Sequence, residues 1–513
     1  LGRAISATEI QLLENEGYLY GTADGAITAG KPVQVKSDGD FQMISETTTS
    51  FSAGAGTAAQ VYAGTTRSAD VFYNTVTDKI VTVVEDTSAY GMAIYTGTVN
   101  GGTTNTVTWG STSLFSGTSA TNYIRTAFDP VSGYACVAFY YQQGGSANAF
   151  LFNNSSGTTS TFGSPTAGTA VFYNSDIVEA DIVNIEEDKW AIVYAGASDY
   201  PRCRIATRSS GTTISFGTEV TIQSNSSNSG GHDNVTVTYD KSQSKLLVMT
   251  RNTSGDVLAY VGTVDGTTTT WGSASGNLDG SGSAPIMNAG GLQYVPSGAV
   301  NVLAFRNTNA TEGRVIAVKI SGTSVVDASG TAVGLSTSVQ FDTQTSIQPH
   351  IFVAYQNTPV IVYSDDSVDI NSIPFTVDGT TPTMGSDAVV ATTTSTLIAS
   401  GAYDPDTNRA VMIYEDNSSN DLYYRVMTIA GSETTTNMAT DGESYLGIAT
   451  KTVANDAQAE VATFGQIDAQ QSGLTAGQKY FIQSDGSLGT SADSSVTTVA
   501  GKALSATKLL ISE

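Results

Sequence analysis

The stretch Val71–Asp86, VFYNTVTDKIVTVVED, decides the fold because variants of it recur along the chain. Asn74, Asp129, Asn184 and Asp240 mark equivalent points in four copies, at intervals of 55, 55 and 56 residues. Short Asn and Asp side chains hydrogen-bond the backbone of their own turn, so each copy predicts two antiparallel strands joined by a tight turn. The other six copies read TAFDPVSGYACVAFYY, DIVNIEEDKWAIVYAG, VTYDKSQSKLLVMTRN, LQYVPSGAVNVLAFRN, IFVAYQNTPVIVYSDD and GAYDPDTNRAVMIYED.

A second signal has the same period. Between successive copies of the first stretch lies a Gly-Thr or Gly-Thr-like hairpin, as in VDGTTTTWGS, which predicts a third and a fourth strand. Its glycines are Gly102, Gly157, Gly211, Gly266, Gly322 and Gly379, and IAGSETTT at Gly431 is a degenerate seventh copy. Two signals with one period indicate a true repeat.

Four antiparallel strands in each unit of roughly 40–55 residues are typical of a β-propeller, whose closed ring leaves few exposed strand edges. The sequence therefore predicts an all-β protein with a seven-bladed β-propeller over residues 68–437. Six or eight blades, or an open β-solenoid, remain alternatives.

Composition narrows the classes of function. The chain has 22 basic against 47 acidic residues among 513, a net charge of −25, which argues against binding nucleic acid or anionic membranes. No stretch approaches the roughly 18 consecutive apolar residues of a membrane-spanning helix, so membrane insertion is not expected. Cys136 and Cys203 lie in predicted strands, and buried free thiols are favoured over a disulfide.

Loops between the second and third strands of each repeat differ in sequence, and loops on a constant scaffold are where binding groups collect. They carry aromatic, amide, guanidinium and carboxylate groups, which suit sugar rings and hydroxyls. The alternative interpretation is a solvated acidic rim with incidental aromatic residues. The candidate ligand-binding residues are Tyr90, Gln142, Tyr200, Arg202, Arg251, Arg306, Asp366, Glu415 and Asp416.

Cofactor chemistry has little support in the sequence. Asp365, Asp366 and Asp369 in SDDSVD could bind Ca²⁺ through carboxylate oxygens, although the full spacing of a calcium loop is missing. No other cofactor is predicted.

Catalysis is not predicted either. His232 and His350 are the only histidines, and neither HExxH nor GxSxG occurs. VDGTTTTWG at 264–272 only faintly resembles the Asp-box hairpin of sialidases. A polysaccharide-degrading propeller enzyme remains an alternative, because a pair of catalytic carboxylates cannot be chosen without geometry.

The two ends of the chain share a phrase: TAGKPVQVKSDGDF at Thr28–Phe41 and TAGQKYFIQSDGSL at Thr475–Leu488. Ser-Asp-Gly is a hairpin-turn signal, so both phrases predict β-hairpins. Because the ends of a propeller emerge close together, residues 1–67 and 438–513 are expected to form the two halves of one small β domain into which the propeller is inserted. Two separate hairpin modules are the alternative.

AISATEIQLLENEG at 4–17 is the one predicted helix.

The terminal segment GLTAGQKYFIQSDGSLGT…AGKALSATKLLIS, residues 473–512, resembles a terminal β module of tailed-bacteriophage tail fibres and virion surface proteins. ADGAITAGKPVQVKSDGDF near the start resembles the opening strands of the same module. The resemblance implies a bacteriophage structural protein on the virion surface, in an extracellular setting. It implies a tail-fibre or surface adhesin that binds a host cell-surface glycan or protein, contacts other virion proteins and forms a homo-oligomer, commonly a trimer. A purely structural virion decoration or connector protein is the alternative.

Overall fold

The structure is a computed structural model of the chain, and it divides into two compact units. One unit, here called the ring unit, is Phe51–Gly431, and the other, the terminal unit, joins Leu1–Ser50 to Ser432–Glu513. The residues that the structure describes are 11–12, 17–36, 39–44, 46–48, 52–55, 58–66, 68–86, 91–100, 105–115, 121–141, 145–153, 161–162, 170–196, 201–222, 235–251, 255–278, 287, 289–307, 312–328, 330–331, 338–343, 347–354, 357–365, 369–392, 399–416, 418–430, 434–436, 445–454, 457–483, 486–492 and 498–512.

In the described part of the ring unit there are seven antiparallel sheets, called blades 1 to 7 in chain order. Blade 1 has β8 Ala69–Asn74, β9 Lys79–Asp86, β10 Gly91–Asn100, β11 Thr106–Trp109 and β12 Ser113–Phe115; blade 2 has β13 Thr121–Phe128, β14 Tyr134–Tyr141, β15 Ser146–Asn153, β16 Thr161–Phe162 and β17 Ala170–Tyr173. Blade 3 has β18 Ile177–Glu186, β19 Lys189–Gly196, β20 Pro201–Ser210, β21 Thr213–Phe216 and β22 Val220–Thr221; blade 4 has β23 Val235–Asp240, β24 Lys245–Arg251, β25 Val257–Asp265 and β26 Thr268–Trp271.

The remaining blades follow the same order. Blade 5 has β27 Leu292–Val295, a 3₁₀ turn at Pro296–Gly298, β28 Val300–Asn307, β29 Glu312–Ser321, β30 Ser324–Val326 and β31 Val339–Asp342; blade 6 has β32 Ile347–Val353, β33 Pro359–Asp365, β34 Asp369–Asp378, β35 Thr381–Met384 and β36 Ala388–Ala391. Blade 7 has β37 Ala399–Asp404, β38 Arg409–Asp416 and β39 Asp421–Ala430, with β6 Ser52–Ala55 and β7 Ala59–Tyr62.

The first strand of every blade lies at the inner edge of its sheet, and these inner strands contact one another in sequence, with the seventh touching the first. Apolar side chains fill the spaces between blades, as where Val81 and Val83 of blade 1 pack on Val137 of blade 2. The predicted all-β propeller is confirmed. The structure adds a short fifth strand to most blades. This strand pairs with the third strand, farther along the edge that also carries the fourth strand.

The ring closes through its N-terminal strands. β6 and β7 precede blade 1 in sequence but pair with β39 of blade 7, where they take the places of its fourth and fifth strands. The prediction that IAGSETTT supplies this fourth strand is wrong, because β39 ends at Ala430 and the next strand belongs to the terminal unit. Side chains also join blades 7 and 1, for instance where Arg409 Nε donates to Asn105 Oδ1 at 2.8 Å.

The turn residue of the repeat acts as predicted. Asn74 Oδ1 accepts from the N–H groups of Val76 and Thr77, and Asp404 Oδ1 does the same two and three residues on. Some of these carboxylates reach the next blade as well, since Asp129 Oδ2 accepts from the N–H of Asp188 at 2.7 Å. One side chain therefore shapes the turn and helps set the spacing between blades.

Carboxylates and a hydroxyl also tie the inner strands together at their starting ends. Ser68 Oγ and Asp70 Oδ2 accept from the N–H groups of Ile124 and Thr126 in blade 2, at 2.7 and 2.8 Å. Glu179 and Asp181 repeat the pattern on blade 4: they accept from the N–H groups of Val235 and Val237 at 3.1 and 2.9 Å, and they also accept from Ala289 and Gly290 in blade 5. Inner strands lack a backbone partner on their channel side, so these side chains satisfy amides that would otherwise be buried and unpaired.

The terminal unit contains the strands outside the ring. These are β1 Gln11–Leu12, β2 Tyr18–Thr22, β3 Pro32–Val35, β4 Phe41–Met43, β5 Glu46–Thr48, β40 Thr434–Thr436, β41 Tyr445–Ala449, β42 Gln458–Ala462, β43 Ile467–Asp468, β44 Lys479–Ile482, β45 Leu488–Gly489, β46 Val499–Ser505 and β47 Lys508–Ile511. One sheet has the order β1-β2-β42-β41-β3-β4 and a second the order β43-β47-β46-β44-β45, while β5 pairs with β40. The predicted helix is wrong at Gln11–Leu12, which pairs with β2, and its other residues lie mostly outside the described part of the chain.

The two shared phrases fold in the same way. In the first, Lys36 N donates to Asp40 O and Gly39 N to Lys36 O, at 2.9 and 3.0 Å; in the second, Gln483 and Gly486 make the equivalent bonds, both 3.0 Å. In both sheets the strand before the hairpin turn also pairs with a strand that contains a glycine. Val33 pairs with Gly447 and Tyr480 pairs with Gly501, and in each case the register shifts directly after this pair. A Cβ on either glycine would lie 2.0 or 2.1 Å from a carbonyl oxygen of the neighbouring strand.

The terminal unit, which is built from both chain ends, therefore contains two copies of one module. The C-terminal copy consists of β43–β47 from one continuous segment, whereas the N-terminal copy combines β2–β4 with β41 and β42. The copies share a core in which Ile448 and Ala462 of the first pack with Tyr480 and Leu509 of the second. Residues 490–498 connect β45 to β46 in the C-terminal copy, and the ring unit occupies the corresponding connection in the N-terminal copy.

Both cysteines are buried and unbonded, as predicted. Among the described residues, no helix has the length and apolar character needed to cross a membrane.

Replacing Asp181 by alanine is expected to destabilise the ring unit strongly. The change leaves the N–H groups of Ile182, Val237 and Gly290 and the Thr236 hydroxyl without their acceptor, at a site where Asp181 is 4% exposed. We expect a loss of about 3–5 kcal/mol in the free energy of unfolding, measured by urea denaturation. Asp378→Ala removes an exposed carboxylate and serves as the control; equal effects of the two changes would contradict the bridging role.

Candidate functional site

The main cavity of the ring unit is its central channel. It has a volume of about 800 Å³ and is lined by residues from the inner strands of all seven blades. Its lining extends to Thr75, Lys241, Asn357 and Pro405, which lie in the turns between first and second strands. A smaller cavity of about 380 Å³ shares Tyr73, Lys241 and other lining residues with it. The channel therefore reaches the face that carries these turns, here called the turn face.

One polar ring lies near the starting ends of the inner strands. Its members occupy equivalent register positions, each opposite the middle of the second strand of its blade, as Asp70 is opposite Val83 and Arg125 is opposite Ala138. The residues at this position of the inner strand are Asp70, Arg125, Asp181, Thr236, His350 and Ser400. In blade 5, Gly290 lies against the His350 ring, where a Cβ would come within 2.3 Å of an imidazole carbon.

Ser400, His350 and Asp70 meet within this ring, but not as a catalytic triad. The Ser400 hydroxyl donates to Asp70 Oδ1 at 3.0 Å, and His350 Nε2 lies 3.4 Å from Ser400 Oγ. In a triad the aspartate orients the histidine and the histidine takes the serine proton, whereas here the serine proton points to the aspartate. Burial lowers the pKa of His350 to about 4, so the imidazole is neutral at pH 7. The arrangement fits a structural hydrogen-bond chain.

Aromatic side chains line the main and the smaller cavity near the turn face. In blades 1, 2, 4 and 7 they stand directly before the turn Asn or Asp, and in blade 5 Tyr294 stands before Val295. The hydroxyls of two of them are anchored: Tyr73 donates to Asp406 Oδ2 at 3.2 Å, and Tyr403 donates to Asn408 Oδ1 at 2.9 Å. Anchored hydroxyls fix the orientation of these rings. This aromatic collar consists of Tyr73, Phe128, Tyr239, Tyr294 and Tyr403, and valines at 183 and 353 take the same position in blades 3 and 6.

The sequence contains the signal for this collar. The words VFYN, TAFD, VTYD, LQYV and GAYD repeat an aromatic residue at one fixed place in five blades. The prediction used the following Asn or Asp and attributed this segment to turn formation alone. That these aromatic side chains line cavities follows only from the arrangement of the inner strands around the channel.

Three of the predicted ligand-binding residues occupy one equivalent place, close to the end of the second strand and to the opposite face. Arg251, Arg306 and Glu415 pair with Val257, Gly313 and Leu422 at the start of the third strand. They belong to blades 4, 5 and 7, so each lies at a separate position around the ring. Burial is greatest for Glu415, which is 2% exposed and whose Oε2 has no hydrogen-bond partner among the described residues.

Arg202 and Asp416 make local contacts within their blades. Arg202 forms an ion pair with Glu219, and its guanidinium carbon lies 5.4 Å from the centre of the Tyr173 ring. Asp416 Oδ1 accepts from the N–H and the hydroxyl of Ser418, at 3.0 and 2.8 Å. These contacts stabilise the strand ends, and the ligand-binding role of both residues stays a prediction.

The remaining predicted residues can be placed only in part. Tyr90, Gln142, Tyr200 and Asp366 lie outside the described residues, as does His232. Of the predicted calcium ligands, Asp365 accepts hydrogen bonds from the Asp369 N–H and from Asn371 Nδ2, at 3.1 and 3.0 Å. Within the described ranges, no group of three or more His, Cys, Asp or Glu side chains is arranged to hold a metal ion.

Comparison with known proteins identifies the fold only. No protein-family model and no curated protein sequence matches the chain. Among solved structures, the BP39L lectin from Burkholderia pseudomallei superposes with a TM-score of 0.51 at 8% identity, over 73% of this chain and 98% of the lectin. The WD40 domain of Toxoplasma gondii coronin superposes with a TM-score of 0.49 at 10% identity, over 80% of this chain and 94% of that domain. The first of these likenesses supports the propeller fold.

Replacing Glu415 by glutamine is expected to stabilise the protein at neutral pH. Burial, with a smaller effect of Asp416, raises the pKa of Glu415 to about 7, so between pH 4.5 and 7 this group is more ionised in the unfolded state than in the folded one. The wild-type free energy of unfolding then falls as pH rises through that window. Glu415→Gln lacks this fall and should gain about 1–3 kcal/mol above pH 7, with no gain below pH 4.5.

Thermal unfolding across pH 4 to 8 measures this difference. Asp378→Asn removes one exposed carboxylate and corrects for the general effect of charge. A constant difference between Glu415→Gln and wild type over the whole range would contradict the assigned cause.

Proposed function

We propose that the protein is a bacteriophage virion-surface adhesin whose propeller binds a host cell-surface glycan at the turn face of its channel. The observation that carries the glycan part is the aromatic collar, of which Tyr73 and Tyr403 line the cavity of about 800 Å³ and the other members line the smaller cavity beside it. Aromatic faces stack on sugar rings, and neighbouring polar groups such as Gln293 and Asn357 can bond hydroxyls. A cavity of this size falls within the range that holds small ligands, here one or a few sugar units.

The likeness to the Burkholderia lectin concerns the fold alone, so it does not identify a sugar or a site. The virion part of the proposal rests on the phrases of the terminal unit that resemble a module of phage tail fibres. Duplication of that module fits a role in attaching the ring unit to an assembly. A homo-oligomer and contacts with other virion proteins belong to the same proposal.

Removing one collar ring is expected to weaken glycan binding. Tyr403→Ala deletes an aromatic face, and we expect about a ten-fold loss of affinity for a saccharide bound by the wild type in a glycan array, measured by calorimetry. Tyr403→Phe keeps the ring and loses only the hydroxyl bonded to Asn408, so its affinity should remain close to that of the wild type.

A parallel variant decides between the two faces of the ring. Arg306→Ala changes the position predicted from sequence at the opposite face. If this variant loses binding and Tyr403→Ala does not, the site lies at the variable loops and the channel assignment is wrong. If the wild type binds no saccharide and does not compete with whole virions for adsorption to host cells, the adhesin proposal fails.

A further inference from the structure

We propose that the channel selects saccharides that carry a carboxylate, through Arg125 in its depth and Lys241 at the turn face. This inference rests on the proposed glycan-binding function and specifies the class of its ligand. Arg125 and Lys241 line the same cavity as the collar residues Tyr73 and Tyr403.

The two carboxylates that line this cavity are already occupied. Asp70 accepts hydrogen bonds from the N–H groups of Val71 and Thr126 and from the hydroxyls of Thr126 and Ser400, at 2.8 to 3.0 Å. Asp181 likewise accepts four hydrogen bonds from protein groups. They are 6% and 4% exposed, so a ligand in the channel has little access to either carboxylate.

Arg125 retains donors for a ligand. Its Nη1 donates to the carbonyl oxygen of Ile124 at 2.9 Å, and the described residues include no carboxylate within ion-pair distance of its guanidinium. Its Nε is buried, and no described residue accepts a hydrogen bond from it. An arginine has five N–H donors, so the described residues leave most of them unused. The side chain is partly exposed.

Lys241 supplies the second positive charge. It follows Asp240 in the turn of blade 4, is exposed, and lines both the main and the smaller cavity. The charged side chains accessible from the channel are thus cationic, although the whole chain has a net charge of −25. His350, the other titratable group of the polar ring, is uncharged at neutral pH.

The charge of the two buried carboxylates does not remove this preference. Burial raises the pKa of Asp181, and the nearby charge of Arg125 acts against that rise. The described contacts nevertheless contain no hydrogen bond or ion pair from Arg125 to Asp181 or Asp70, so neither carboxylate takes up its N–H donors. Hydrogen bonds between a cation and a carboxylate are about twice as strong as neutral ones, and they discriminate between an acid and its neutral analogue. An arginine inside the channel and aromatic rings near the turn face therefore suit a sugar acid. The sugar ring would stack on an aromatic ring, and its carboxylate would accept hydrogen bonds from the guanidinium.

The test uses an acidic oligosaccharide that contains a uronic acid and the same oligosaccharide after reduction of its carboxyl groups to alcohols. Calorimetry with the full chain should show that the acidic form binds about ten-fold or more tightly, and that this preference shrinks with added salt. Arg125→Gln and Lys241→Gln should each reduce the ratio of the two affinities. Arg125→Lys keeps the charge and should retain part of the preference. Lys319→Gln, on the third strand of blade 5, is the matched control and should change neither affinity.

The outcomes separate this inference from the function on which it rests. Equal affinities for the acidic and reduced forms, both lost in Tyr403→Ala, would overturn the carboxylate preference and leave glycan binding standing. A preference for the acid that survives both Arg125→Gln and Lys241→Gln would also overturn it. Failure of both forms, and of every other saccharide, to bind would reject the proposed function itself. Thermal unfolding of each variant verifies that it is folded.

Discussion

The backbone amides at the inner edge of each blade impose the constraint on which the ring depends. An inner strand pairs with only one neighbour in its sheet, so its other edge faces the channel with unpaired N–H groups. Ser68 with Asp70 and Glu179 with Asp181 satisfy such amides across blade boundaries, one repeat apart in sequence. Because these side chains lie near the starting ends of the strands, the polar groups that hold the ring together and the aromatic collar occupy different levels of the channel.

This separation explains how one channel can be both structural and open to a ligand. Buried carboxylates are costly unless they are fully hydrogen-bonded, and Asp70 and Asp181 each accept four bonds. Towards the turn face the repeat instead presents Tyr73, Tyr239 and Tyr403, whose places are fixed by the adjoining Asn or Asp turns. A turn residue needed for folding thus positions a ring that a sugar can use.

The sequence predicts the repeat well because two constraints recur from blade to blade: the turn after the first strand has Asn or Asp in five of the seven blades, and the second strand is buried on both faces. It predicts long-range pairing poorly. Nothing local in SAGA at 52–55 shows that these residues pair with β39, and the prediction placed the seventh outer strand after Gly431 instead. The channel was missed for a similar reason, since Arg125, His350 and Ser400 share no residue type and become related only through the register of their strands. The repeated phrase indicates that the two ends of the chain are related. That each phrase belongs to a complete copy of one module follows only from the strand pairing at Gly447 and Gly501.

Ring closure has a consequence for the order of events during synthesis. β6 and β7 leave the ribosome early, and 359 positions separate Tyr62 from Asp421, where their partner strand begins. At translation rates of about 5–20 residues per second, they wait roughly 20–70 seconds for that partner. The segments that wait, SAGA and AQVY, are short and rich in small residues, a composition with little tendency to aggregate. Closure of the ring thus depends on two strands that carry little risk while they remain unpaired.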